Sequence, residues 1–334
     1  MTKGLVWLVL RQHRVVLWAG AVLVLVAAVY MTWQRADMVA YINAHDIVRC
    51  RGTARAACWS DEEGFRPNTV YAFERKYAGP LRNGARVCVA VPALIGVFVG
   101  SPLFARELES GTHRLVWSQS VSRTRWLAVK LGVATGITLA AAGAMAALYT
   151  WWWAPAHAVS TRAHDVMGPA ELPWFNSVPY NAIGPVAVAW ALLALMTGAA
   201  AGLLLRRTLP AMAVTLAATV GAQFGLRALR PDLVDWESGF EPIGSVATTM
   251  QLGYAWEGRW DWITDSGRIQ PSGVCTDVDW DACMARHHVI GQLHDFHPPS
   301  HFWPMQWAEA GICLAAAAAL AAFCLWWIRR APAV

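Results

Sequence analysis

Long apolar runs and polar segments of unequal length alternate along this chain. The apolar runs fall at about 15–33, 87–104, 126–153, 182–205, 208–226 and 305–328. Each is near the ~20 residues with which an α-helix crosses a hydrocarbon core. The pattern predicts an all-α polytopic membrane protein with six transmembrane helices in a single domain over 1–334. Ahead of the first run, residues 1–14 set Leu5, Leu8 and Val9 against Lys3, Arg11 and Arg14. That stretch is too short and too charged to cross, and it predicts a helix lying in the membrane interface. No small-residue cleavage site follows Tyr30, so the first run is expected to stay on the chain as a span.

The arginines orient these runs. Arg206-Arg207 ends the fourth, Arg329-Arg330 ends the sixth, and the segment Phe104–Lys130 carries five basic residues against Glu107 and Glu109. The excess of Lys and Arg in short loops marks the cytoplasmic side, which puts both termini inside and makes 34–86 and 231–304 two large extracellular loops. The arginines of those loops do not contradict this, because long loops translocate largely regardless of charge. Arg227 and Arg230 fall outside against the rule, with Asp232, Asp235, Glu237 and Glu241 close enough in sequence to pair with them. The fourth and fifth runs are separated by almost nothing and form an antiparallel hairpin.

Composition fits this class: 56% of the residues are hydrophobic and 15% charged, with 20 Trp. The net charge of +5 comes from arginines spread over several loops, not from a basic stripe with interleaved aromatics, so it does not indicate nucleic acid. Lys3, Lys76 and Lys130 each lack the preceding Gly and following Ser or Thr of a phosphate-cradling loop, so the chain is not its own P-loop ATPase.

One polar segment is short, dense in charge and pinned between two spans. In it Arg106-Glu107-Leu108-Glu109 opens a helical turn and Gly111 supplies the left-handed position that ends it. Read alone, it is either a solvated cytoplasmic loop or a small acidic helix held at the membrane face. Arg106 to Thr112, followed by Ser118-Gln119-Ser120-Val121-Ser122-Arg123-Thr124-Arg125-Trp126, resembles the segment between the second and third spans of type-two ABC exporter permeases. The resemblance implies that 105–125 is a coupling segment docking into a cytoplasmic P-loop ATPase subunit, with Arg106, Glu107, Glu109, Gly111, Thr112, Arg123 and Arg125 at the contact. It also implies two ATPase copies carrying ATP and Mg, a second permease protomer, identical or homologous, and no cofactor on this chain. Only three of the 27 basic residues are Lys and Ala is abundant, a coding bias expected of a GC-rich bacterium and hence of a bacterial plasma membrane, and the few fixed charges in the spans suit an amphipathic or apolar cargo such as a drug, peptide or lipid. Charge reversal at Glu107 and Glu109 is then expected to spare folding and abolish coupling. Between the last two spans that family forms partial re-entrant helices, but this region is longer than in its compact members and the resemblance says little about its middle.

Four of the seven cysteines lie in the two outer segments as C-x7-C pairs, Cys50 with Cys58 and Cys275 with Cys283. Disulfides persist outside the cell, although free thiols or pairing across the loops fit the same spacing. His294, His297 and His301 are of a ligand type suited to zinc or copper, but Pro298-Pro299 breaks any helix that would align them. A membrane enzyme or metal-handling protein working through this loop is the alternative function. Within the spans Thr135, Thr138 and Gln223 are the polar candidates for a pathway, against the ordinary reading of backbone and interhelical hydrogen bonds.

Overall fold

The computed structural model describes residues 7, 11, 14–45, 47, 69–112, 122–167, 174–243, 255–275 and 279–330. In chain order its helices are α1 (Arg14–Ala44), α2 (Thr69–Ile95), α3 (Pro102–Glu109), α4 (Arg123–Met167), α5 (Ser177–Ala182), α6 (Gly184–Leu205), α7 (Thr208–Leu229), α8 (Trp280–Arg286) and α9 (Phe302–Arg330). Six helical stretches among the described residues are long and apolar enough to cross a membrane. The axle is α6, which has no charged residue. In its most apolar stretch 72% of residues are buried, against 6% in α1, which stands at the periphery.

Small residues bring the second span against α6. Pro92 removes one helical N–H, and just beyond it Gly96–Gly100 forms a π-helical turn in which the Ser101 amide donates to Gly96 O at 2.9 Å. A Cβ on Gly100 would come 2.5 Å from Leu195 O, and one on Gly198 would run into Gly96 O and the Ser101 amide. Only glycine lets the two backbones approach this closely. Under the turn the Ser101 hydroxyl meets Thr215 Oγ1 of α7 at 2.8 Å, both residues fully buried.

Several predicted boundaries move. Helix α1 continues past Trp33 to Ala44 and α2 starts at Thr69, so much of the predicted 34–86 loop is helix. The reason is a buried stripe at helical spacing, Phe73, Tyr77, Leu81, Ala85 and Cys88, which packs on Met31, Met38 and Ile42 of α1 and on Tyr149 and Trp152 of α4. The exposed charges Arg75, Lys76 and Arg86 lie between its members and hide it. Asp37 closes the contact, 2.9 Å from Lys76 Nζ and accepting from Tyr77 OH at 2.7 Å. Cys50 and Cys58 lie outside the described residues, as does most of the predicted interfacial helix.

The all-α expectation fails between α7 and α9. There the chain builds a four-stranded antiparallel sheet in the order β1-β4-β2-β3, from β1 (Glu237–Pro242), β2 (Trp256–Thr264), β3 (Ile269–Pro271) and β4 (Val289–His297). Aromatic Trp256, Trp260 and Trp262 at even spacing favour a strand, and Asp265-Ser266-Gly267 turns it back, with Gly267 at φ 75° and its amide donating to Thr264 O at 2.9 Å. A disulfide between Cys275 and Cys283, with Cα atoms 5.8 Å apart, holds α8 to this sheet over Trp262, Met284 and Val289. The molecule thus has an end rich in arginine (106, 123, 125, 206, 207, 329, 330) and an opposite, sheet-bearing end.

Candidate functional site

At the arginine-bearing end α3 forms an elbow between two spans. Gly111 takes φ 71° directly after it, and across the elbow Ser122 Oγ accepts from the Arg125 amide at 3.3 Å, capping α4. Leu103 and Phe104 pack on Trp126 and Leu127 and so bind the two arms together. Both glutamates face the chain itself. The Glu107 carboxylate meets Lys130 Nζ at 2.5 Å with both side chains nearly out of water, and Lys130 also donates to Leu103 O at 3.2 Å. Glu109 accepts from the Thr208 amide at 3.0 Å and from its hydroxyl at 2.7 Å, and so occupies the positive start of α7.

Glu107 is thus turned away from any partner, whereas Glu109 stays exposed while bonded to Thr208. A carboxylate beside a helix start and another beside a buried lysine are satisfied internally. What the elbow exposes is Arg106, Glu109, Ser110, Thr112 and Arg125, with Arg123 half-buried. Reversing the glutamates would therefore break ties within the chain, and the expectation that folding survives it is withdrawn.

A second constellation, at the sheet-bearing end, went unread in the sequence. Arg230 and Glu309 are buried together where α7, α9, α5 and α6 meet. Arg230 Nε donates to Glu309 Oε2 at 2.8 Å and Nη2 donates to Oε1 at 3.1 Å, a bidentate pair. Nη2 also donates to Asn181 Oδ1 at 2.6 Å, Trp190 Nε1 donates to Glu309 Oε1 at 3.0 Å, and the guanidinium lies 3.8 Å over the Tyr180 ring. Beside them Gln306 donates to Tyr180 O at 2.8 Å and accepts from the Val186 amide at 3.3 Å, capping α6. Arg230 thus pairs with α9 and not with the acids that follow it in sequence. The available signal was Glu309 itself, the one acidic residue between Met305 and Ile328. An ionisable group inside a span is costly and marks function or a dedicated partner.

Of the three histidines between α7 and α9, His297 and His301 meet and His294 stands apart. His297 is fully buried against Trp236, ring centroids 3.9 Å apart. Its Nε2 lies 2.9 Å from Pro231 O, which can only accept, so Nε2 carries the proton and Nδ1 accepts from His301 Nδ1 at 3.1 Å. His301 Nε2 in turn stands 3.1 Å from Glu237 Oε1. Burial lowers the His297 pKa and the His301 charge adds to this, while the Pro231 carbonyl, Asp232 and Glu237 oppose it. His294 turns instead to Gln292 Oε1 at 2.8 Å and Glu241 Oε2 at 3.6 Å. The trio is therefore not one ligand set, and the described residues contain no group of three or more His, Cys, Asp or Glu placed to hold a metal. Of the pathway candidates, Thr138 is buried and lines an apolar groove between α1 and α4, while Thr135 and Gln223 are half-buried elsewhere.

Against known proteins, the family model described as ABC-2 membrane transporter related matches residues 21–230, from within α1 to the end of α7. No curated protein and no solved structure matches the chain.

Proposed function

The chain belongs to the ABC-2 membrane transporter related family, and on that premise we propose that it is the membrane subunit of an ATP-driven exporter. A separate P-loop ATPase subunit, in two copies with ATP and Mg, docks on segment 105–125, and a second permease protomer completes the complex. The arginine-bearing end faces the cytoplasm of a bacterium and the sheet faces outward. The spans hold few fixed charges, which suits an amphipathic or apolar cargo.

The observation that carries this reading is the way the elbow is tied. Its outer surface presents Arg106, Ser110 and Thr112, and its inner surface is bonded through Glu107 to Lys130 on α4 and through Glu109 to Thr208 on α7. A push on α3 is thereby delivered to two spans at once. Arg106→Glu and Gly111→Val test it in membranes reconstituted with the ATPase subunit. Both are expected to leave a folded, membrane-inserted chain and to lower substrate-stimulated ATP hydrolysis about tenfold or more, worth ~1.4 kcal/mol of docking. Near-wild-type stimulation in both variants would overturn the assignment.

A further inference from the structure

Ring nitrogens of His297 and His301 make three contacts at the sheet-bearing end. His297 Nε2 lies 2.9 Å from Pro231 O, the two Nδ1 atoms lie 3.1 Å apart, and His301 Nε2 lies 3.1 Å from Glu237 Oε1. Each contact needs one proton. A carbonyl oxygen and a carboxylate only accept, and two imidazole lone pairs repel, so a hydrogen stands at His297 Nε2, between the Nδ1 atoms, and at His301 Nε2. Two neutral imidazoles carry one such hydrogen each, so the third makes one ring an imidazolium.

The surroundings place that charge on His301. His297 is fully enclosed, with Trp236 and the uncharged ring of Trp256 from β2 against it, and burial lowers its pKa. The His301 side chain is 15% exposed and faces Glu237, whose carboxylate balances an imidazolium. The remaining acid acting on the pair is Asp232, on the turn after α7. Arg230 is held by Glu309 and Asp295 by Ser238, so neither is free to answer a change of charge here. Together the three contacts join the end of α7, β1, the end of β4 and the start of α9. They lie alongside the Arg230–Glu309 tie between the same two helices.

We propose that His297 and His301 form a shared-proton latch, which joins α7 to α9 through the sheet only while the two rings hold three protons between them. With two protons, a lone pair must face either the Glu237 carboxylate or the other ring. With four, two Nδ1–H groups meet head on. The contact is therefore lost on both sides of an intermediate pH, and the rings titrate as a unit. The third proton enters and leaves at His301, the ring that water reaches. The latch stands on hydrogen-bond geometry and does not require the exporter reading.

The test follows amide exchange of peptides covering 230–237 and 297–303 in the purified full chain, corrected for the intrinsic pH dependence of exchange. Protection is expected to be greatest near pH ~7 and to fall at least about fivefold at pH ~5 and at pH ~9, the scale of one lost buried hydrogen bond. Glu237→Gln is the deciding variant, because an amide meets His301 Nε2 equally well as acceptor or donor and so removes the need for a third proton. It should keep its protection at pH ~9 and lose it only at pH ~5, where the rings take up protons. A simple His301–Glu237 ion pair predicts the opposite, a loss of protection in this variant at every pH. Should the variant fold poorly, His301→Gln, which is neutral throughout, should likewise remove the alkaline loss. A wild-type response in one direction only, or an alkaline loss that survives both variants, would overturn the proposal. So would protection that falls on treatment with a chelator, which would put a metal ion between the Nδ1 atoms. None of these readouts needs ATP or the ATPase, so failure here leaves the exporter reading untouched.

Discussion

The Arg230–Glu309 pair gives the sharpest energetic prediction. Glu309→Gln keeps the side-chain shape and an oxygen for Trp190 Nε1 while removing the charge. Arg230, 1% exposed, then remains as a buried cation with Tyr180 beneath it and only neutral amide oxygens, Asn181 Oδ1 among them, as acceptors. Leaving one partner of a buried pair uncompensated costs ~3–5 kcal/mol, a large share of the ~5–15 kcal/mol that holds a typical fold together. Replacing both partners, Arg230→Met with Glu309→Leu, removes the desolvated charges together and should cost much less, because apolar replacement of a buried pair is often near neutral. The measurement is a double-mutant cycle on unfolding of the purified chain in one detergent, followed by Trp fluorescence, to which Trp190 reports directly. Coupling of about 2 kcal/mol or more is expected for groups in direct contact. If either single variant lost under ~1 kcal/mol, or the double variant lost the sum of the singles, the pair would not be the lock that the geometry indicates.

Three further outcomes follow from contacts elsewhere. Gly198→Val sets a branched side chain against Gly96 O and the Ser101 amide; overpacking of this kind costs ~1–3 kcal/mol or more, and the yield of monodisperse chain on size exclusion should fall sharply, whereas Gly132→Ala, where an added Cβ meets nothing, should not change it. Cys275→Ser with Cys283→Ser opens a short loop and should destabilise the sheet by about 2.5 kcal/mol in the entropic model, read as faster amide exchange in β2–β4 with the spans unchanged; equal exchange in both forms would refute it. Because the pKa of His297 is lowered in the fold, the unfolded chain binds more protons than the native one below the ordinary histidine value of about 6.5, so stability rises with pH in that window. Acidification from pH ~7 to ~5 should therefore loosen β1 and β4 from Pro231 by amide exchange, and His297→Asn should abolish the dependence.

The spans were legible because each is a run of apolar residues of membrane length, and the elbow because Gly111 and the flanking charges punctuate it. What escaped was of three kinds. The helical extension of α2 was masked by period: Phe73, Tyr77, Leu81 and Ala85 recur every four residues, but a reading by mean hydropathy counts the charges between them. The sheet was masked by polarity, since β1 runs Glu-Ser-Gly-Phe-Glu-Pro and β2 alternates its tryptophans with Glu257, Arg259 and Asp261, which a search for long apolar runs passes over. The partners of charged groups were masked by distance along the chain. Glu109 bonds Thr208 and Arg230 bonds Glu309, whereas sequence proximity pointed Arg230 to Asp232 and Glu237. At the elbow the inward facing of Glu107 escaped, because the sequence does not show which side of an eight-residue helix turns to α4.

These long-range ties give α7 a mechanical role that neither end shows alone. The helix has 22 residues, hence is ~33 Å long at ~1.5 Å per residue, and it is pinned at three levels. Glu109 of the elbow caps its first residue, Ser101 of the π turn bonds Thr215 near its middle at 2.8 Å, and Arg230 just past its end is held by Glu309. A hydrogen-bonded helix transmits an axial or tilting displacement along its length, so movement of α3 acts on the buried pair at the far end without any chain of side-chain rearrangements between them. The weakest of the three attachments gives first. Glu109 and Thr208 are exposed to water and Ser101–Thr215 is a neutral hydroxyl pair, whereas Arg230–Glu309 is a dry, bidentate ion pair, strong while intact and costly to separate unless water reaches it.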